Sequence, residues 1–246
     1  MRASLLANLA SNQGHSAGPF RMFEAGRVFW PRSGDLPDER ETVAGILAGL
    51  RHEPSWLEDD SLLDFYDAKG VVESVLGRLG VTATYDPIDD PAFHPGRCAA
   101  IKSGDALLGL VGEVHPVVME RLGLDSPQVA AFELYLGPIL AALPSSQQQF
   151  EPLARYPSAT RDLALVMSSD VEAGLVTQLI LRHRGVDRAE LFDIYAGENI
   201  AEGTKSLAFH VYFQARDRTL TNEEVNRSLD GLLRTLEREL NVSLRA

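Results

Sequence analysis

The sequence predicts an α+β protein in two parts. The first is an antiparallel sheet flanked by helices, and the second is a four-stranded sheet with two helices on one face. Three observations predict this. Some short stretches alternate apolar and polar residues, as half-buried strands do, and others repeat apolar residues every three or four positions, as amphipathic helices do. Gly, Pro, Asn and Asp punctuate these stretches as turn formers. The run Pro144-Ser145-Ser146-Gln147-Gln148-Gln149 has neither periodicity nor an apolar anchor. Residues 144–151 therefore read as a linker between a domain over 1–143 and another over 152–246.

In the first part, residues 3–10 read as a short helix ended by Asn12-Gln13-Gly14. Met22 to Phe29 reads as a strand stopped by Pro31 and the Ser33-Gly34-Asp35 turn, and Val43 to Leu50 as a second strand. A helix begins at Asp67, with Val71, Val72, Val75, Leu76 and Leu79 on one face and Gly80 at its end. Ala99–Lys102 and Leu107–Val111 form a hairpin across Ser103-Gly104-Asp105. Pro116, after His115, opens a helix through Leu122, and Val129 to Leu136 is a further strand.

The second part is more regular. Asp162–Met167 is a strand. Ser169 and Asp170 are placed to cap a helix with Leu175, Val176, Leu179 and Ile180 on one face. Ala189–Tyr195 and Ser206–Gln214 are strands separated by a turn-rich loop. Thr221 and Glu224 have capping-box spacing, and the helix they open carries Val225, Leu229, Leu232, Leu233, Leu236 and Leu240. Val242–Arg245 is a last short strand. The order βαββαβ is that of the ferredoxin-like split βαβ fold.

Both helices must cover the same face of that sheet, so alternation sorts the strand residues. Leu163, Leu165, Met167, Phe192, Ile194, Leu207, Phe209, Val211 and Phe213 are expected in the core. Asp193, Tyr195, His210, Tyr212 and Gln214 are expected on the other face. Open sheets with exposed aromatic rings can stack unpaired bases. The same tyrosines would equally serve to cover the sheet or to pack on the first domain. Arg155, Arg161, Lys205, Arg216 and Arg218 gather at the edges, and phosphate positioning uses this residue type, although loop arginines are often simply solvated.

Bulk properties limit the function. With 246 residues, 45% hydrophobic and 24% charged, the chain can build two cores. Its net charge is −12, with 11 basic against 20 acidic residues up to 150 and 12 against 15 beyond. Such a chain has no general pull on nucleic acid, so an RNA site must supply its own cations. One cysteine, Cys98, excludes an intrachain disulfide and suits a reducing cytosol. No apolar run approaches the roughly 20 residues of a membrane helix, and the first residues do not form a signal peptide.

Specific strings then matter. Arg155-Tyr156-Pro157-Ser158-Ala159-Thr160-Arg161-Asp162-Leu163-Ala164, Glu190-Leu191-Phe192-Asp193-Ile194-Tyr195, Glu202-Gly203-Thr204-Lys205-Ser206-Leu207-Ala208 and Arg218-Thr219-Leu220-Thr221-Asn222-Glu223-Glu224-Val225 occur in that order. Together they resemble the anticodon-binding module of the β subunit of bacterial phenylalanyl-tRNA synthetase. Phe23-Glu24-Ala25-Gly26-Arg27-Val28-Phe29, Asp64-Phe65-Tyr66-Asp67-Ala68-Lys69-Gly70, Phe93-His94-Pro95-Gly96-Arg97 and Gly112-Glu113-Val114-His115-Pro116 resemble its catalytic-like core.

The resemblance implies a class II synthetase-like antiparallel sheet, incomplete at its N-terminus, followed by the ferredoxin-fold module. It implies a cytoplasmic heterotetramer of two α and two β subunits, with tRNA(Phe) as partner and without membrane contact. ATP and Mg2+ would be used at the α subunit, and this chain would bind no cofactor itself. Arg155, Tyr156, Arg161, Tyr195, Lys205, Tyr212, Arg216 and Arg218 become candidate tRNA-binding residues. No catalytic residue is expected. Class II active sites use arginines against ATP phosphates, and Val129 to Gly137 has neither that arginine nor the glycine pattern of the catalytic subunit. The family's β subunit carries further domains upstream that have no counterpart here, so the sequence reads as a piece of a longer chain.

Other chemistries are weaker. His94, Cys98, Glu113 and His115 could ligate zinc, but Pro95 and Gly96 intervene and no paired Cys or His repeat exists, so no metal site is expected. Lone Cys98 reads as a small buried hydrophobe rather than a nucleophile. The rival readings are a ferredoxin-like regulatory or dimerisation module without tRNA, and a stand-alone ligase.

Overall fold

The computed structural model describes residues 1–15, 19–53, 55–57, 59–145, 155–197 and 200–245. The chain divides into two compact units, Met1–Gln149 and Phe150–Ala246. The linker reading falls, beyond residue 145, outside the described residues.

Unit 1 runs α1 (Arg2–Gln13), β1 (Phe20–Arg32), β2 (Asp35–Ala48), α2 (Phe65–Arg78), β3 (Thr84–Pro87), β4 (Phe93–Ser103), β5 (Ala106–Val114), α3 (Pro116–Leu122), β6 (Val129–Tyr135) and α4 (Leu136–Ala141). Its six strands form one antiparallel sheet in the order β1-β2-β6-β5-β4-β3. Alternation sends Ala44, Ile46 and Ala48 to one face, with Leu5, Leu6 and Leu9 of α1 and Met119 of α3. Leu47, Ile101 and Phe132 face the other way, against Val72 and Leu76 of α2 and Ile139 of α4. Helices thus cover both faces, and β6 is buried from Val129 to Leu134.

Several boundaries differ from expectation for physical reasons. β1 continues through Pro31 because it is an edge strand, where the missing N–H costs no ladder bond. β2 starts at Asp35, across a two-residue Ser33-Gly34 turn in which Gly34 has φ +78°. Its polar first half pairs with β1 alone; burial begins at Thr42, where pairing with β6 begins. The helix expected from Asp67 starts at Phe65. Asp64 caps it, accepting from the Tyr66 and Asp67 amides, while the Asp67 carboxylate accepts from the Asp64 amide. Only Ala68, Val72 and Leu76 are buried there, while Val71, Val75 and Leu79 stay exposed. β3 and α4 are short additions without a sequence signal of their own.

Unit 2 runs β7 (Ala159–Ser168), α5 (Ala173–Arg182), β8 (Val186–Tyr195), β9 (Thr204–Phe213), α6 (Asn222–Leu240) and β10 (Ser243–Leu244). The sheet order is β10-β7-β9-β8, and all pairs are antiparallel. The α6 capping box forms as expected: Thr221 Oγ1 accepts from the Glu224 amide, and the Glu224 carboxylate accepts from the Thr221 amide. The expected Ser169 and Asp170 cap does not form; α5 starts after Glu172 with no side-chain cap. Leu163, Leu165, Met167, Leu207, Phe209, Val211 and Phe213 meet Val176, Leu179, Ile180, Val225, Leu232 and Leu236 in one core.

Phe192 and Ile194, expected in that core, are 52% and 57% exposed. The ladder pairs Leu191 with Phe209 but Asp193 with Ala208, so Phe192 is an extra residue in a bulge. The bulge breaks strict alternation and turns Phe192 to the open face, while Ile194 stays opposite the core residue Leu207 and is exposed next to the end of the strand. Ala189 and Leu191 supply the inward side of β8 instead.

Candidate nucleic-acid interface

The unit 2 face opposite α5 and α6 carries three aromatic stations. The register aligns Asp162 of β7, His210 of β9 and Glu190 of β8 in one row, and Thr160, Tyr212 and Arg188 in the next. Phe192 stacks on His210, with ring centroids 4.0 Å apart and planes 13° from parallel. His210 Nδ1 lies 2.7 Å from Asp162 Oδ1, which fixes the ring from its far edge. The Arg188 guanidinium covers the Tyr212 ring at 4.0 Å and pairs with Glu190 at 2.8 Å. Tyr212 donates its hydroxyl proton to Glu190 at 3.0 Å. That hydrogen bond, with burial and the nearby charge, holds the Tyr212 phenol above its ordinary pKa. At the other end of the face, the Arg245 guanidinium lies 4.7 Å from the Tyr195 ring centroid. Arg245 follows β10 at one edge and Tyr195 ends β8 at the other, so the contact spans β7 and β9. Those strands present small residues there, Ala164, Ser206 and Ala208.

The candidate residues named from sequence divide in two. Tyr195 and Tyr212 share this face. Arg161 does not: it has the parity of Leu163, turns toward α6, and donates to Asn222 Oδ1 at 3.2 Å and Asn226 Oδ1 at 3.4 Å. Lys205, paired with Met167, also points to the helical side and donates to the Ser169 carbonyl at 2.9 Å. Arg218 is held by Asp217 and Glu224, each at 2.9 Å, beside the start of α6. Arg155 and Arg216 are exposed, and the Tyr156 carbonyl accepts from Gln214 Nε2 at 2.6 Å. Among the described residues, the cations that lie over rings of this face are Arg188 and Arg245, which sequence reasoning missed. Strand alternation puts Arg188 on the face of Glu190, but only the register puts it over Tyr212.

Several unit 1 arginines also end on carboxylates. Arg2 bridges Asp90 at 3.3 Å and Glu133 at 3.4 Å, Arg97 meets Glu113 at 2.6 Å, and Arg51 meets Asp67 at 2.9 Å. Each is held by a carboxylate, as Arg188 is by Glu190. Burial pushes the Cys98 thiol up to about 11, away from thiolate chemistry. Among the described residues no group of three or more His, Cys, Asp or Glu converges as a metal site, and no helix is long and apolar enough to cross a membrane. A groove of about 650 Å³, lined among others by Leu6, Val28, Phe29, Trp30, Val118 and Leu122, opens between α1, α3 and β1.

Residues 1–136 match the model of the phenylalanyl tRNA synthetase beta chain CLM domain, and residues 154–245 match that of the ferredoxin-fold anticodon binding domain. The chain belongs to the phenylalanyl-tRNA synthetase β-chain family. It is 35% identical to the phenylalanine–tRNA ligase beta subunit of Dehalococcoides mccartyi over 246 residues, all of this chain and 30% of that one. Identity to the Pseudomonas putida beta subunit is 37% over 254 aligned residues, covering 100% of this chain and 31% of the relative. The Geobacter sulfurreducens beta subunit is 35% identical, with 100% and 32% covered. The chain thus spans about a third of the length of these relatives. In unit 2 the family strings fall at the entry to β7, at the end of β8, at the start of β9 and across the cap of α6. Three of the four border the aromatic face, while the fourth builds the capping box.

Proposed function

We propose that this chain supplies the catalytic-like core and the anticodon-binding module of a phenylalanine–tRNA ligase β subunit. In that role unit 1 scaffolds the catalytic α subunit, and unit 2 holds the anticodon region of tRNA(Phe) during ATP-dependent aminoacylation. The assembly is a cytoplasmic heterotetramer of two α and two β subunits, with ATP and Mg2+ used at the α subunit and no cofactor on this chain. The observation that carries the reading is the open unit 2 face, where aromatic rings are backed by Arg188 and Arg245. Aromatic and guanidinium planes stack unpaired bases, and the same guanidinium groups attract the phosphates that follow. A chain with an overall charge of −12 needs such local cations to bind RNA at all. On unit 1 the groove beside exposed Phe29 and Trp30 offers an apolar surface for a protein subunit.

Co-expression with a catalytic α subunit, then tRNA(Phe) titration at several salt concentrations, tests the proposal. The expected result is co-purification with an affinity that falls steeply with salt. A chain that self-associates, leaves the α subunit unbound and ignores tRNA would point to a regulatory or dimerisation module instead.

A further inference from the structure

The β8 bulge brings Phe192 out of the core and lays it flat on His210. Exposing about half of a phenylalanine forgoes burial that the strand could otherwise have had. The ring is nevertheless well fixed. His210 lies behind it, and Asp162 holds His210 at 2.7 Å. To one side, two residues along β9, stands Tyr212 under Arg188; toward the other end stands Tyr195 under Arg245. Both tyrosine rings are therefore covered on one side by a guanidinium group. The Phe192–His210 pair is a stack without an arginine on it among these contacts, and its outer ring is the more exposed of the two.

We propose that Phe192 is a nucleobase platform: an unpaired RNA base stacks on the outer face of its ring, with His210 as the fixed backing. The proposal rests on the reading of unit 2 as an RNA-binding module and adds the residue that takes a base. A flat, apolar, pre-ordered ring suits any base, because every base has a π-face. Arg245 and Arg188, the latter paired with Glu190 at 2.8 Å, flank it on the same face, so the phosphates on either side of the stacked nucleotide have guanidinium groups within the sheet's own width. Asp162 and Glu190 lie on this face too, which disfavours a bare phosphate over the platform and favours the uncharged base there.

The test uses the 246-residue chain and an RNA stem-loop carrying the phenylalanine anticodon, with a fully paired duplex of the same stem as control. Phe192→Ala and Phe192→Leu should each weaken stem-loop binding roughly 5- to 140-fold, from base–aromatic increments of about 1–3 kcal/mol at about 1.4 kcal/mol per tenfold. Phe192→Tyr and Phe192→Trp should restore it. The loss should be the same at every salt concentration, whereas Arg188→Ala should flatten the salt slope. The Phe192→Trp chain should also show fluorescence quenching by the stem-loop beyond that of the parent chain. If the parent chain binds the stem-loop and Phe192→Leu binds equally well, the platform is wrong and the RNA-binding reading stands. If the parent chain binds stem-loop and duplex alike, or neither, the reading beneath the platform fails with it. Circular dichroism melts of each variant exclude misfolding, since Phe192 lies outside the core.

Discussion

The two sheets of this molecule are built from similar strands and end with opposite surfaces. In unit 1 helices lie on both faces, so central strands such as β6 are buried along almost their whole length. In unit 2 both helices lie on one face, and β9 alternates strictly from Leu207 to Phe213, buried residues against half-buried ones. A sheet covered twice spends its side chains on cohesion, while a sheet covered once has a face left for a ligand. Arginines stand over aromatic rings in both units, Arg2 on Phe93 and Arg40 on Trp30 in the first, Arg188 on Tyr212 and Arg245 on Tyr195 in the second; the second pair lies on the face that the helices leave uncovered.

The largest expected effect lies across the unit 2 sheet, between adjacent residues. Phe209 is fully buried, and Phe209→Ala should destabilise unit 2 by about 3–5 kcal/mol, whereas His210→Ala on the open face should cost less than about 1 kcal/mol. Urea unfolding of both variants measures the difference. Equal costs would mean that the open face is not open.

Close packing in the unit 1 sheet gives the next effect. A Cβ on Gly109 would stand 2.1 Å from the Glu133 carbonyl oxygen, and backbone cannot swing aside. Gly109→Ala should cost about 1–3 kcal/mol by thermal melting, while Gly70→Ala, with open space around it, should not destabilise the chain.

The smallest effect concerns the start of α6. Thr221→Ala should cost about 1 kcal/mol. Glu224 is held below its ordinary carboxylate pKa, first by the Thr221 amide and then by Arg218. A depressed carboxylate contributes stability above its unfolded pKa and loses it as pH falls through the folded value. Glu224→Gln should therefore be less stable than the parent at neutral pH, and acid titrations should show that difference vanish as pH falls through the lowered folded value of Glu224.

Much of unit 2 was legible in its residues. Thr221 and Glu224 announced α6, and alternation in Leu207–Phe213 identified the inward face of β9. The placement of the candidate residues was legible in part. Tyr195 and Tyr212 followed from the same alternation, but Arg161 and Lys205 turned to the helical side, where Asn222 and the Ser169 carbonyl hold them. Alternation alone places Phe192 in the core because it takes no account of a bulge.

By itself, then, the sequence determined what neighbours along the chain can decide. Helix caps, turn positions, strand alternation and the order βαββαβ all depend on residues a few positions apart. The tertiary structure decided what depends on register between distant strands. It placed Arg188 over Tyr212, carried Arg245 across two strands to Tyr195, and turned Phe192 onto His210. Each of those contacts joins residues that share no local pattern, and a one-residue change in pairing reverses the face on which a side chain appears.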